Sequence, residues 1–335
     1  MSVLLLSFLL PLAAVIVGTR WVLGWLLRKQ ILDHPNERSS HSRPTPRGGG
    51  LAVTPVILVA WLILSCFAAP PGTGDRAWVP IGGALILLAL SWQDDRGGLS
   101  ARLRLGVHLF VAAAGLATWK TDQLLFQGWL PLWADRLLAL GAWVWFLNLF
   151  NFMDGIDGIS GVETIAIGCG LAGLALLDGN IATAAMAVVM VAAALGFLVW
   201  NWHPAKIFLG DSGSVPLGYL LGWLLLSAAS HGHWAAALIL PAYYLTDASI
   251  TLVRRALRGE RLWEAHRQHF YQKAVQGGAG HARVASLILL ANAILVLLAW
   301  LSETHRLPAL LGAAAAVALL LTLLAGFGRR RGDSR

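Results

Sequence analysis

Residues 181–200 read IATAAMAVVMVAAALGFLVW, and residues 201–214 continue NWHPAKIFLGDSGS. The first stretch carries no charge over a length that, at a helical rise of about 1.5 Å per residue, crosses a hydrocarbon layer about 30 Å thick. The second is a connection rich in turn-formers and small residues. The same alternation of apolar run and polar connection extends to both ends of the chain. Of its 335 residues, 57% are hydrophobic and only 13% charged, against about 25% charged in soluble domains. That composition excludes a water-soluble fold. Spans are expected near 3–27, 50–69, 78–92, 105–119, 136–152, 162–178, 181–200, 215–231, 234–253, 284–302 and 307–327. The expected fold is therefore an all-α polytopic membrane protein of about eleven transmembrane helices, forming a single domain over 1–335. The run at 3–27 lacks the basic start and the small-residue cleavage site of a signal peptide and is read as a span.

Charge orients the chain. With the N-terminus outside, the exterior connections hold only Arg76, Lys120, Arg136 and Arg306. The opposite connections hold five times as many Lys and Arg, including Arg38, Arg47, Arg104, Lys206 and the tail Arg329, Arg330, Arg331 and Arg335. Such a bias places the basic side and the C-terminus in the cytoplasm. The net charge of +8 is thus a topology signal, and no nucleic-acid partner is expected. Cys66 and Cys169, the only cysteines, fall inside expected spans without a CxxC or CxxH neighbour, which argues against a disulfide framework or a zinc site. LLFQGWLPLW (124–133) is too short to span and reads as an interfacial segment.

Nearly every unusual polar residue lies in five cytoplasmic connections, near 28–49, 93–104, 153–161, 201–214 and 254–283. Carboxylates at a hydrocarbon boundary are expensive, so their clusters are functional candidates. Asp94 and Asp95 repel each other unless a proton or cation intervenes, which suits a general base or a metal ligand. Asn148, Asn151, Asp154 and Asp157 are spaced by three and would line one face of a helical turn, with Gly155, Gly158 and Gly161 permitting close approach of a ligand. A thiol-free oxygen set suits Mg²⁺, which leaves several positions to water and phosphate. Asp211 sits in LGDSGS; the likeness to a serine-protease nucleophile loop is set aside because a polytopic chain has no room for that two-barrel fold. Lys206, upstream of it, could reach a phosphate. His266 and His269 flank Arg267 in an Arg-rich loop that suits anions better than zinc. Asp247 is open to two readings, pairing with a basic loop residue or contacting substrate. His203, His231, His233 and His281 have no partner that sequence names.

The motifs PTPRGGG, DDRGGLSARLR, NxxNxxDGxDG and NxxPAxxFxGDSGS, followed by a His-containing last loop, resemble in order and membrane side those of the polyprenyl-phosphate N-acetylhexosamine 1-phosphate transferases. The O-antigen-initiating type is the nearer pattern, and phospho-N-acetylmuramoyl-pentapeptide transferase is a related one. The resemblance implies transfer of a sugar 1-phosphate from a UDP-N-acetylamino sugar, such as UDP-GlcNAc or a 6-deoxy amino sugar, to undecaprenyl phosphate with release of UMP. Mg²⁺ is the implied cofactor, with Mn²⁺ as a substitute. It implies catalytic roles for Asp94 and Asp95, metal ligation by Asn151 and Asp211, and substrate contacts at Asp154, Asp157, Arg104, Lys206, His266 and His269. Arg47, Asn148 and Asp247 carry a weaker implication. Two departures are visible: Arg104 stands where Lys is usual, and HRQH (266–269) matches the family's HxHH only at its histidines. The resemblance also implies the bacterial inner membrane and, by analogy, a homodimer. The competing readings are peptidoglycan lipid I synthesis and a lipid or glycan transporter; a transporter would show midplane polar residues and repeat symmetry, neither of which is seen.

Overall fold

A computed structural model describes residues 2–35, 41, 43–67, 77–261, 264 and 266–329. Arg38, Arg76, Arg330, Arg331 and Arg335, used in the charge count, lie outside the described residues.

Thirteen helices occur among the described residues: α1 (Ser2–Arg28), α2 (Gly50–Phe67), α3 (Trp78–Gly97), α4 (Ala101–Ala117), α5 (Leu132–Phe152), α6 (Ile159–Leu177), α7 (Ile181–Asn201), α8 (Asp211–Ser230), α9 (Trp234–Ile239), α10 (Ala242–Leu257), α11 (Phe270–Gln276), α12 (His281–Leu301) and α13 (Arg306–Arg329). Seven of them, α1, α2, α6, α7, α8, α12 and α13, are long and apolar enough to cross a membrane. The chain is a multi-pass membrane protein. Each of the eleven expected spans coincides with helix, but α3, α4, α5 and the α9–α10 pair fall short of the same standard of length and apolarity. The expected span 234–253 is broken. Pro241 stands between α9 and α10, and a proline lacks the N–H and crowds the preceding turn.

The most enclosed of the seven is α8. Small residues let its neighbours close on it: a Cβ on Gly218 would meet the Leu147 backbone, and one on Gly50 would collide with the backbone of Gly213. Trp143 of α5 stacks on Tyr219 with ring centroids 4.7 Å apart and donates from Nε1 to the Tyr219 carbonyl at 2.9 Å. Glycines also thin α6, where Gly170 lies against Leu240 and Gly173 against Trp300. A bilayer supplies no hydrophobic drive between helices, so close packing of this kind carries their association.

One departure from an all-α fold bears on function. A two-residue antiparallel ladder, β1 (Leu32–Asp33) with β2 (Thr45–Pro46), is followed by a bridge from Arg47 to Phe208. The amides of Gly48, Gly49 and Gly50 donate to Phe208 and Leu209. This stitching fixes the first polar connection against the one that precedes α8, and so sets the position of Arg47.

Candidate functional site

Residues of the five polar connections come together in the structure. Arg47 is their centre. Its Nε lies 2.9 Å from Asp95 Oδ1 and its Nη2 2.6 Å from Asp211 Oδ1. Burial opposes the charge on Arg47, but Asp211 and Asp95 outweigh it and hold the guanidinium proton more firmly than usual. Asp95, at the end of α3, has both oxygens engaged, since the amides of Asp211 and Ser212 donate to them at 3.0 Å each. A carboxylate there satisfies amides that the first turn of α8 would leave unpaired. Gly210 makes room for it: its φ is +74°, and a Cβ would stand 2.8 Å from Asp95 Oδ2.

Asp94 points elsewhere, accepting from the Leu99 amide and from Arg104 Nη1, the latter at 2.7 Å. Arg104 Nη1 is also 3.7 Å from Asp211 Oδ2, so the forked cation at this position links two of the implied site acids. Asn151, in the last turn of α5, donates from Nδ2 to Asp211 Oδ1 at 3.2 Å and to Ser214 Oγ at 2.8 Å.

A cavity of about 320 Å³ opens here, lined by Asp33, His41, Arg47, Asn151, Asp154, Asp157, Asn201, Asp211, Gln272 and His281 among others. Its lining holds four carboxylates against the single guanidinium of Arg47. The excess of negative charge would repel a phosphate ligand unless a cation came with it. The donor set fits Mg²⁺ on this structure. Asn151 spends its Nδ2 on Asp211 and Ser214, which leaves its carbonyl oxygen out of those bonds, and Asp211 supplies a carboxylate on the same lining; both are oxygen donors of the kind a hard cation takes.

The spacing-by-three reading of Asn148, Asn151, Asp154 and Asp157 does not describe one helical face. Helix α5 ends at Phe152, and the two acids belong to the loop beyond it. Asn148 bonds His108 Nδ1 at 3.1 Å and the Val144 carbonyl. Asp154 accepts from Ser160 Oγ at 2.7 Å, and burial pushes its carboxyl up to about 7 against that bond. Asp157 is buried, which would raise its carboxyl, but hydrogen bonds from His281 and His203 outweigh the burial and hold it below the usual carboxylate value.

Other residues singled out by motif lie outside the cavity lining. Lys206 is exposed, with Nζ 5.3 Å from the ring of Trp200. His266 packs its ring 4.8 Å from that of His269, and burial together with His269 depresses its imidazole to about 4. His269 is buried with Nδ1 3.2 Å from Asp247 Oδ1. Asp247 also accepts from Tyr243 Oη, Thr251 Oγ1 and the amides of Phe270 and Tyr271. Its role in the structure is to hold the start of α11, which carries Tyr271 and Gln272 against Gly155.

Several cavity residues were not named as site candidates: Asp33, His41, Asn201, Gln272 and His281. Asn201 is the first residue of the NxxPAxxFxGDSGS motif, and Gln272 stands one helical turn beyond His269. Asn201 accepts from the Gly158 amide at 2.9 Å and donates to the Ile207 carbonyl at 2.9 Å, tying the DGIDG loop to the connection before α8.

The chain is similar in sequence to known proteins over most of its length. The model of glycosyl transferase family 4 matches residues 77–229. A decaprenyl-phosphate N-acetylglucosaminephosphotransferase of Mycolicibacterium smegmatis is 31% identical over 92% of this chain and 84% of its own length. A probable undecaprenyl-phosphate N-acetylglucosaminyl 1-phosphate transferase of Bacillus subtilis is 27% identical over 85% and 81%. The undecaprenyl-phosphate alpha-N-acetylglucosaminyl 1-phosphate transferase of Escherichia coli is 26% identical over 89% and 82%.

Proposed function

Because this chain belongs to the polyprenyl-phosphate N-acetylhexosamine 1-phosphate transferases of glycosyl transferase family 4, we propose that it transfers N-acetylglucosamine 1-phosphate, or a 6-deoxy relative, from the UDP sugar to undecaprenyl phosphate. UMP leaves, and the lipid-linked sugar starts a cell-envelope glycan such as O-antigen. The observation that carries the reading is the ring of Asp94, Asp95, Asn151 and Asp211 around Arg47 and Arg104. Attack of one phosphate on another crowds negative charge, and catalysis then rests on positioned cations more than on covalent chemistry.

Mg²⁺, or Mn²⁺ in its place, would be held by Asn151 and Asp211 and would supply charge neutralisation on the diphosphate. Arg47 and Arg104 supply fixed positive charge beside it. Asp95, with both oxygens given to the start of α8, organises the site. Asp94, held to a partly exposed Arg104, is the better placed of the pair to take a proton from the lipid phosphate. Asp157 and Asp154 form the donor side of the cavity. The excess of Lys and Arg in the connections at this end supports a cytoplasmic site in the inner membrane.

The test is UMP release and mass spectrometry of the lipid product over UDP-GlcNAc, UDP-GalNAc and UDP-6-deoxy amino sugars, with and without Mg²⁺. Turnover of at least one donor, abolished by chelation, is expected. Folded protein that turns over none of them overturns the proposal. Fusion reporters at the connections following α6 and α7 test the orientation.

A further inference from the structure

His203 and His281 belong to no motif of the site, and they are 78 positions apart in the chain. The structure brings both to Asp157. His203 Nδ1 stands 2.6 Å from Asp157 Oδ2, and the Ala205 amide donates to the same oxygen at 3.1 Å. On the other side, His281 Nδ1 is 3.3 Å from Asp157 Oδ1 and 3.4 Å from the Asp157 amide nitrogen, and the two imidazoles are tilted to each other with ring centroids 5.0 Å apart. Three separate segments meet there: the loop between α5 and α6, the connection before α8 and the first residue of α12. Asp157 and His281 both line the cavity that Arg47 and Asp211 share.

A carboxylate on a short loop has several rotamers and, when desolvated, tends to take up a proton. Donors on both oxygens, with His281 in its Nδ1–H form, remove each freedom, because they favour the charged form and one orientation of the plane. We infer that His203 and His281 are positioning residues that hold the Asp157 carboxylate in the one orientation in which it contacts the nucleotide of the donor. The inference rests on the reading of Asp157 as a donor contact. The same atoms lie within 4.8 Å of one another, close enough to suggest a metal centre. Yet 2.6 Å between His203 and Asp157 is a hydrogen-bond length, well under the roughly 3.3 Å that separates neighbouring ligand atoms on a tetrahedral zinc with bonds of about 2.0 Å.

The experiment uses the full chain in nanodiscs. UDP binding is measured by calorimetry with Mg²⁺ present, and kinetics are measured with UDP-GlcNAc and undecaprenyl phosphate. His203→Ala and His281→Ala should each weaken UDP binding and raise KM for UDP-GlcNAc about tenfold, the scale of one hydrogen bond to a charged group. KM for the lipid should move by less than about twofold, and kcat should fall less than KM rises. Asn at either position keeps a donor where Nδ1 was and should recover most of the loss. Should the Ala variants fail to fold, Gln, whose donor sits one bond further out, should raise KM in their place. Unchanged UDP affinity in folded Ala or Gln variants, with Asp157→Asn still weakening it, overturns the inference alone. Unchanged affinity in Asp157→Asn overturns the donor-contact reading beneath it. One equivalent of zinc in the purified wild type, lost in the Ala variants, would make the cluster a metal centre and overturn the positioning role.

Discussion

Histidine meets carboxylate at both ends of this bundle, with the stoichiometry reversed. At the site end two imidazoles, His203 and His281, close on one acid, Asp157. At the far end one imidazole, His233, lies between two acids, with Nε2 2.8 Å from Asp178 at the end of α6 and Nδ1 2.7 Å from Glu303 beyond α12. Where the acid is the shared element it is kept ionised and aimed. Where the imidazole is shared it bridges two acids brought together by converging helix ends, and burial costs it less than its partners return, so its proton is held above the usual histidine range. The first arrangement is the one proposed to serve a ligand. The second serves the packing of α6, α9 and α12.

The sharpest way to break that contrast is to remove charge at the site end. Asp211→Asn disconnects Arg47 and Arg104 and removes a proposed metal ligand, so kcat should fall by about a thousandfold, the scale of losing one preorganised charge at a phosphoryl centre, while circular dichroism stays native. Next in size is Arg47→Lys. A single ammonium cannot bridge Asp95 and Asp211 as Nε and Nη2 do, and a loss in kcat of about ten- to a hundredfold is expected.

The far end should answer in stability instead. His233→Ala leaves Asp178 and Glu303 facing each other without their shared donor, which should cost about 1–3 kcal/mol, read as a drop in thermal midpoint with UDP affinity unchanged. A loss of UDP affinity without a loss of stability would erase the contrast.

The smallest effects are in the pH dependence, and their signs are opposite. His233 has its pKa raised by folding, so its contribution is fully present below the ordinary histidine value and is lost as pH rises through the raised one. Asp157 has its pKa lowered, so its contribution is present above the ordinary carboxylate value and is lost as pH falls through the depressed one. Thermal melts of the wild type and His233→Ala should therefore converge towards alkaline pH. Melts of the wild type and Asp157→Asn should converge towards strong acid.

Helix positions were legible in the sequence because the signal is local: a run of apolar residues against a bilayer needs no partner to be recognised. The break at Pro241 was equally local but was outweighed by the apolarity of the residues around it. The ring of Asp94, Asp95, Asn151 and Asp211 was legible as chemistry, since hard oxygen donors crowded at a hydrocarbon boundary demand a cation. Its connectivity was not. That Asp95 holds the start of α8, or that Asn148 turns to His108, depends on how helices are rotated against one another.

The last loop shows the same division. Its histidines and arginines announce anion chemistry, yet His269 is buried on Asp247 while Gln272, which no motif marked, lines the cavity. By itself the sequence determined the membrane class, the order of the helices and the family. The tertiary structure alone decided which residues meet: His203 and His281 with Asp157, and His233 with Asp178 and Glu303. The physical reason is that hydropathy and turn chemistry act over neighbouring residues, whereas a polar contact between side chains 46 or 124 positions apart exists only once packing has set the distance and the angle.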